Sequence, residues 1–394
     1  MSRITFATGG PDWNVADGAL RISARIEDSV GETRDETLYF TVPAGFFAHP
    51  DSVGAALSTL CGRSFGTVAF DFPLSGHAKR TIEAAYGIQL ETRGTPAEPR
   101  QPGTATLLNF SGGFDSMAAL ALTGEGEVTL LSMDFGGAFA REEEYFRTFN
   151  TVVCKTDLRQ KGFHRNDWRF MGVGSLLLSD MLSLGTVGFG TILEASPWNL
   201  RPRAGLNSPA LEGPFGALGI EQTSWIRGLT EFGTAMVMLA FRASDVVPSL
   251  ASLASKGTEK HLRKHLLLEV AAERLGVAMP PVGDRVSARE KATFGTAFTV
   301  DFLAPYFAQR FGRDYLSTFL AGFPEDDDTR ELLASDLGFY LKYNPNFVAH
   351  IPLTLRNRVL DRMHAAGLYP YTEADFESFA KVRRYMSRRY AIPA

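Results

Sequence analysis

Residues 111–116 read Ser-Gly-Gly-Phe-Asp-Ser and combine the residue types in this chain that are best suited to binding phosphate. The two serines offer hydroxyl donors, and Gly112 and Gly113 let main-chain N–H groups approach a ligand closely. Asp115 adds a carboxylate, which would repel a bare phosphate. A carboxylate is expected there if Mg²⁺ lies between it and the phosphates, because this ion accepts oxygen ligands from both. The segment therefore predicts a magnesium-dependent phosphate site.

The runs on either side of this segment predict the elements that hold it. Residues 105–110 form a short apolar run, and residues 117–124 are rich in alanine and leucine, a pattern typical of strand, tight turn and helix. The N-terminus of a helix carries a partial positive charge and free N–H groups, which favour an anion. A simple turn would explain Gly112 and Gly113 but not the serines and the carboxylate, so we favour the binding site.

The segment resembles the SGGxDS pyrophosphate-binding loop of the N-type ATP pyrophosphatases, the PP-loop superfamily. This resemblance implies an enzyme that cleaves ATP between its α- and β-phosphates, with Mg²⁺ held by the phosphates and Asp115. It implies catalytic roles for Asp115, Ser116 and Lys256, since related enzymes place a basic residue over the phosphates. Lys260 is a second candidate, and either lysine taken singly also fits an ordinary surface position. The residues that the resemblance assigns to ATP are Ser111, Gly112, Gly113, Asp115, Ser116, Met133 and Asp134.

A second segment narrows the resemblance to the 7-cyano-7-deazaguanine synthases. Residues 132–137 read Ser-Met-Asp-Phe-Gly-Gly and are similar to the FDYGQ segment of that family, with Asp134, Phe135 and Gly136 matching. The similarity covers about residues 105–200. After the second motif, only the order of the predicted elements is similar. It implies a deazapurine carboxylic acid as the substrate, or a related enzyme that joins such a base to another molecule, including a protein.

The chain also departs from these synthases. They bind zinc through four cysteines in the C-terminal part, whereas no cysteine follows Cys154 here, so we expect no zinc site. Their PGRN turn is replaced by Met-Gly-Val-Gly at residues 171–174, which removes an arginine and an asparagine from the vicinity of the ligand. The nucleotide chemistry therefore transfers from the family better than the substrate does.

The loop that follows the predicted fourth strand, residues 194–203, is the expected acceptor side of the site. Arginines in such a loop can hold a carboxylate or phosphate through paired donors, although arginine in a proline-rich loop also often fixes the loop to its domain. The expected substrate residues are Phe135, Gly136, Glu194, Asn199, Arg201 and Arg203.

The activity that these motifs favour is ATP-dependent adenylation. A carboxylate or amide oxygen would be activated as its adenylate with release of pyrophosphate, and ammonia or an amine would then displace AMP. The substrate would be a small carboxylate or modified base, and the acceptor a small molecule, a protein or a partner subunit. Two alternatives stay open: a sulfur-transfer enzyme of the same superfamily, and a non-catalytic nucleotide-binding subunit of a larger assembly.

Composition excludes several other classes of protein. The 394 residues carry a net charge of −4, which predicts no general affinity for nucleic acid or anionic membranes. Only Cys61 and Cys154 occur, as expected of a reduced cytoplasmic protein, and we interpret Cys154 as a core residue. No N-terminal apolar segment and no run of about 18 apolar residues is present, so neither export nor a membrane span is expected.

The order of predicted elements indicates an α/β fold with a parallel sheet and helices on both faces, of the PP-loop type. We predict an α+β domain over residues 1–92, a proline-rich linker over 93–104, the nucleotide domain over 105–255 and a helical region over 256–394. In such sheets the ligand lies beyond the carboxyl ends of the strands. We therefore expect residues 111–116, 134–137 and 194–203 to line one crevice.

Several local patterns have more than one interpretation. Residues 172–185 read as a long apolar helix, and residues 186–196 as a strand ending near Leu193. His261 and His265 have a spacing that suits a metal on a helix, but no third ligand follows, so we favour a solvated basic face. The C-terminal Lys-Val-Arg-Arg-Tyr run has a pattern found in single-strand nucleic-acid binding, and we favour an ordinary terminal helix with basic residues near its negative end.

Overall fold

The computed structural model describes residues 2–9, 13, 15–200 and 213–393. The chain forms two compact units, each of which is built from separate stretches of sequence. The first comprises Met1–Ser111, Gly126–Gly188 and Pro209–Thr223, and the second comprises Gly112–Glu125, Phe189–Ser208 and Ser224–Ala394. This division differs from the four segments predicted from the sequence, because the chain crosses between units inside the Ser-Gly-Gly turn.

The strands are β1 Arg3–Ala7, β2 Val15–Ala16, β3 Ala19–Glu27, β4 Thr33–Thr41, β5 Thr67–Phe70, β6 Gln89–Glu91, β7 Ala105–Asn109, β8 Thr129–Asp134, β9 Thr151–Lys155, β10 Leu184–Phe189, β11 Glu221–Thr223, β12 Ala292–Thr293 and β13 Leu320–Ala321. The helices are α1 Pro50–Cys61, α2 Gly76–Tyr86, α3 Phe114–Thr123, α4 Ala140–Phe146, α5 Val173–Leu177, α6 Gly213–Gly216, α7 Glu231–Phe241, α8 Val246–Leu253, α9 Glu259–Leu275, α10 Phe298–Phe311, α11 Arg313–Leu316, α12 Asp327–Leu333, α13 Leu353–Ala365 and α14 Glu373–Ser387. Short 3₁₀ turns connect many of them.

The first unit contains a mixed sheet formed by the N-terminal residues. Strands β3 and β4 pair antiparallel as the predicted hairpin, with Ala19 opposite Thr41 and Glu27 opposite Thr33. β1 pairs antiparallel with β3 and parallel with β5, and β5 pairs parallel with β6. Alternation along β1 and β3 buries one face of the sheet, as expected when only one side faces a core. Helices α1 and α2 accompany these strands, so the region combines helix and strand.

The first unit also contains the predicted parallel sheet. Its five strands run in the order β11-β10-β7-β8-β9, and all are parallel. Their short apolar cores, such as Leu107 and Leu108 in β7 and Leu131 in β8, are buried. The α/β class is therefore confirmed, and crossovers between parallel strands account for the alternation of elements in the sequence.

Two predicted elements are shorter than expected. The helix predicted over residues 172–185 ends at Leu177, because the chain turns at Ser183 with a left-handed φ of 50° and β10 begins at Leu184. The strand predicted to end near Leu193 ends at Phe189. Residue 190 is a glycine at that point, and its backbone lies against the first turn of α3, so the chain leaves the sheet there.

The residues predicted as a linker, 93–104, are fixed to the first unit by Arg100. Its guanidinium lies 2.7 Å from the Asp180 carboxylate and donates to the carbonyls of Ser179, Leu184 and Leu218. The side chain is only 2% exposed. The carbonyl of Ser179 is one that a longer helix over 172–185 would have used, which adds a reason for the early end of that helix.

In the part of the second unit that the structure describes, helices predominate and the short β12–β13 pair is the one strand pair. Helix α7 packs against both α3 and α9, and Trp225 donates its indole N–H to the carbonyl of Ala119 in α3. Phe232 lies against the rings of Tyr306 and Phe307, with centroids 4.6 and 5.3 Å away. The predicted helical character of the C-terminal region is thus confirmed, and α3 belongs to its core.

Within the described residues, no single helix is long and apolar enough to cross a membrane. The helical segments Glu231–Phe241 and Ala243–Leu253, which are bent sharply against each other, reach that length and apolar character only when they are taken together.

Candidate functional site

The turn between β7 and α3 has the geometry that its glycines predict. Gly112 takes a φ of 75°, a left-handed conformation that favours glycine. Its carbonyl accepts a hydrogen bond from the Ser249 hydroxyl at 2.7 Å. Gly113 is the N-cap of α3 and provides no side-chain acceptor for the N–H groups of the first turn. Such a helix terminus can bind an anion through its N–H groups.

Asp115, in the first turn of α3, is in contact with helix α7. The Thr234 hydroxyl donates to the carboxylate of Asp115 at 3.0 Å. Burial raises the pKa of Asp115, and the nearby Glu231 carboxylate raises it further, against the opposing charges of Lys264 and Lys260. A cation or a phosphate group bound nearby would therefore strongly change the ionisation of Asp115.

Glu231, the first residue of α7, lies between two cations of helix α9. Arg263 and Lys264 both form ion pairs with its carboxylate, and the Lys264 ammonium lies at 3.2 Å. Burial alone would raise the pKa of Glu231, but these two cations outweigh it and lower the pKa to about 2. The Lys264 ammonium also lies 5.1 Å from the ring centroid of Phe114, beside Asp115 in the sequence. A buried set of paired charges thus lies next to the start of α3.

Glu194 was predicted as a substrate residue and is fully buried in the second unit. One of its carboxyl oxygens accepts the backbone N–H of Glu231 at 2.6 Å, and the other has no hydrogen-bond partner among the described residues. Burial, followed by the charge of Glu231, raises the pKa of Glu194 well above its usual range. The carboxyl group therefore supports the N-terminus of α7, and contact with a substrate stays a prediction.

The rest of the predicted acceptor loop is described only in part. Asn199 donates from its side-chain amide to the carbonyl of Ile192 at 2.9 Å, which fixes the loop on itself. Trp198 is 61% exposed. Arg201 and Arg203 lie outside the described residues, so their role stays a prediction.

The second motif lies at the carboxyl end of β8 in the first unit. Asp134 is buried, with one oxygen accepting the N–H of Gly136 at 2.8 Å and the other 3.1 Å from the Lys155 ammonium. Phe135 is buried against Phe170. Met133 packs so tightly on Gly174 that a side chain at residue 174 would collide with its sulfur. These contacts show that the second motif forms a turn after β8.

The three segments expected to line one crevice divide between the two units. Residues 134–137 belong to the first unit, and residues 112–116 and 194–200 belong to the second. The common crevice and the nucleotide contacts of Ser111, Met133 and Asp134 therefore stay predictions.

The basic segment of α9 is not the solvated face that we expected from the sequence. His261, Arg263, Lys264 and His265 are all buried, because this face of α9 packs on α7 and supplies the partners of Glu231. His265 binds the carbonyl of Gly283 through its ring. Lys256 is exposed, and its ammonium lies close to Gly283, while Lys264 and Lys260 are the lysines whose charges act on Asp115. A catalytic role for Lys256 stays a prediction.

Sequence reasoning named Lys260 but missed most of the other residues that surround Asp115. Thr230 caps α7 by accepting the N–H of Gly233, and a threonine followed by glutamate before an apolar run is a usual sign of a helix start. That sign would have placed Glu231 and Thr234 on one helix. Nothing in the sequence showed that Arg263 and Lys264 would be the charges facing them.

Both cysteines are buried. Burial, followed by the charge of Asp134, raises the pKa of the Cys154 thiol to about 12, so the interpretation of Cys154 as a core residue is confirmed. Among the described residues, no group of three or more His, Cys, Asp or Glu side chains is arranged to hold a metal ion. A lone carboxylate such as Asp115 fits Mg²⁺ only together with substrate phosphates, which is the usual way that proteins bind this ion.

Comparison of the chain with protein-family models, with curated proteins and with solved structures finds no match in any of the three.

Proposed function

We propose that this protein is an ATP-dependent adenylating enzyme of the PP-loop type, which forms AMP and pyrophosphate. One observation carries the proposal: the Ser-Gly-Gly-Phe-Asp-Ser segment forms a left-handed glycine turn that opens onto a helix N-terminus without a side-chain cap. This arrangement offers N–H donors to phosphate, and the sequence of the turn matches the SGGxDS pattern at every fixed position.

The charges around the turn support cleavage that releases pyrophosphate. Lys264 lies beside Phe114, and both Lys264 and Arg263 form ion pairs with Glu231. Fixed cations close to a site where negative charge develops stabilise the departing group. Mg²⁺ bound with ATP would neutralise phosphate charge, and Asp115 would be the carboxylate that holds it. Ser116, at the same helix start, donates its hydroxyl to the carbonyl of Gly113 at 3.1 Å and would turn from it to donate to a phosphate oxygen when ATP binds.

The substrate half of the proposal rests on the resemblance to 7-cyano-7-deazaguanine synthases. We infer a carboxylate or modified base as the group that is adenylated, with ammonia or an amine as the nucleophile, and C–N bond formation in the cytoplasm as the outcome. The parallel sheet is compatible with the PP-loop fold, which places such a turn after its first strand. Identification of the product will show whether the acceptor is a small molecule or a protein.

Product analysis tests this function. The protein, Mg²⁺ and ATP are incubated with ammonia and candidate carboxylic acids labelled with ¹⁸O, and the nucleotides are analysed by mass spectrometry. Adenylation predicts AMP that carries one ¹⁸O, because the bond to phosphorus forms through the carboxylate oxygen, together with one pyrophosphate. ADP and phosphate as the products would contradict the proposal. Bound but uncleaved ATP with every acid would favour a non-catalytic nucleotide-binding subunit.

A further inference from the structure

Four ring side chains cluster beyond the carboxyl ends of β8 and β9 in the first unit. Phe135 lies 6.1 Å from Phe139 and 5.2 Å from Phe170, measured between ring centroids, and His164 lies 6.1 Å from Phe170. Phe135 and Phe170 are buried, whereas Phe139 and His164 are half-buried. The cluster forms a fixed platform at the sheet edge where open α/β folds bind ligands.

The guanidinium of Arg159 lies on this platform. Its central carbon is 4.3 Å from the ring centroid of Phe139 and 6.0 Å from that of Phe170. A guanidinium stacked through its face keeps its N–H donors at its edge, where they match both oxygens of a carboxylate. The two rings thus fix the orientation of the group and leave its donors available.

Arg159 differs from Lys155 and Lys161 in having no anionic partner within the described part of the chain. Lys155 is paired with Asp134, and Lys161 is paired with Glu36 and Asp157. No ion pair or side-chain hydrogen bond of Arg159 occurs among the described residues. A half-buried cation next to paired ones is most simply explained by an anion that comes from outside the chain.

Two further features of the platform are consistent with a ligand. The Nδ1 atom of His164 is buried and has no hydrogen-bond partner among the described residues, so a polar group there remains to be satisfied. Gly136 and Gly137 both take left-handed φ values, 64° and 57°, so the chain beside the platform carries no side chains at two successive positions. A planar ligand could approach the rings there.

We propose that Arg159, supported by Phe139 and Phe170, binds the carboxylate of a planar aromatic substrate. The inference rests on the proposed function for the class of substrate, an aromatic acid, but it assigns a residue that lies outside both sequence motifs. Its test needs no ATP, so the binding site and the adenylation chemistry can fail separately.

Benzoate titrated into the ¹⁵N-labelled full-length protein tests the proposal, with the arginine Nε–H signals as the readout. Benzoate should shift one signal, which is absent in the Arg159→Gln and Arg159→Lys variants. Its affinity should fall by about tenfold or more in Arg159→Gln, as expected when a charge-assisted hydrogen-bonded pair is lost. Arg159→Lys should also bind more weakly than wild type, since lysine keeps the charge but not the paired donors.

Matched controls make the result decisive. Arg165→Gln removes an exposed arginine from the same segment and should leave benzoate binding unchanged, while benzamide, which has the ring without the charge, should not shift the signal. Equal benzoate affinity in wild type and Arg159→Gln would overturn the proposal. So would inorganic phosphate binding more tightly than benzoate, because the site would then take phosphate. Failure to form AMP with intact benzoate binding would count against the proposed function alone.

Discussion

At the scale of single residues, buried ion pairs of the second unit surround Glu231. The carboxylate lies between Arg263 and Lys264, and its backbone N–H is bound by the Glu194 carboxyl group. Charges that are removed from water in this way depend on one another, since each leaves the others without a partner when it is lost. The group is therefore a structural support for the start of α7 as well as the source of positive charge near α3.

Glu231→Gln should lower the free energy of unfolding by about 3–5 kcal/mol, because Lys264 would stay buried without its ion-pair partner and Arg263 would keep only Glu259. Urea unfolding monitored by circular dichroism measures the change. Glu269→Gln is the matched control: its ion pair with Arg285 is partly exposed and should contribute less than about 1 kcal/mol. Equal effects of the two substitutions would contradict the described burial.

The same carboxylate predicts a dependence of stability on pH. The pKa of Glu231 is about 2 in the folded protein and about 4.5 when unfolded, so its stabilising effect is complete above pH 4.5 and is lost as the pH falls towards 2. Over that interval wild type should lose more stability than Glu231→Gln. Parallel stability curves for the two proteins would show that folding does not lower the pKa of this carboxyl group.

At the scale of elements, the start of α3 depends on the close approach of residue 190. A Cβ atom at Gly190 would lie 2.8 Å from the backbone nitrogen of Ser116, so a side chain there must displace the first turn of the helix. Gly190→Ala should weaken ATP binding by about tenfold or more, since small displacements of positioned groups cost large factors.

The control for Gly190→Ala is Gly76→Ala, at the first position of α2, where the new Cβ would meet only the flexible end of Arg80. It should leave nucleotide affinity unchanged. Calorimetry with ATP and Mg²⁺ compares the two variants. Wild-type affinity in Gly190→Ala would show that the helix start is not the phosphate-binding element.

The connecting segment 93–104 makes a second prediction at this scale. Arg100→Gln should lower the free energy of unfolding by about 3–5 kcal/mol, because Asp180 and three carbonyls lose a buried partner. Arg93→Gln, an exposed position in the same segment, should change it by less than about 0.5 kcal/mol. Thermal unfolding distinguishes a fixed segment from a free linker, for which both substitutions would be neutral.

The elements also show which parts of the fold are readable from sequence. Strong local patterns, such as the alternating residues of β3 and β4 and the apolar core of β7, predicted their strands correctly, because burial of one face imposes the pattern. The shorter extents of α5 and β10 were not predictable. They depend on Arg100 and on the approach of Gly190 to Ser116, both of which are contacts between residues distant in sequence.

At the scale of the whole molecule, the two units do not follow the order of the sequence. The Ser-Gly-Gly turn leads from a strand of the first unit into α3, which lies in the helical second unit. The motif itself was found from residue types and spacing, because a glycine turn before a helix imposes local constraints. The partners of Asp115 were not found, because Thr234, Glu231 and Lys264 come from helices more than a hundred residues away.

The most direct test of the account is the rate of AMP formation from ATP by wild type and by Asp115→Ala, with an acid that wild type adenylates. Thr234 and the charges of Lys264 and Glu231 surround this carboxylate, so its loss should remove a group that meets the phosphates and Mg²⁺. We expect AMP formation to fall by at least about a hundredfold, with the variant still folded. Asp361→Ala, an exposed position on α13, should react at the wild-type rate. Equal AMP formation by wild type and Asp115→Ala would contradict the central claim.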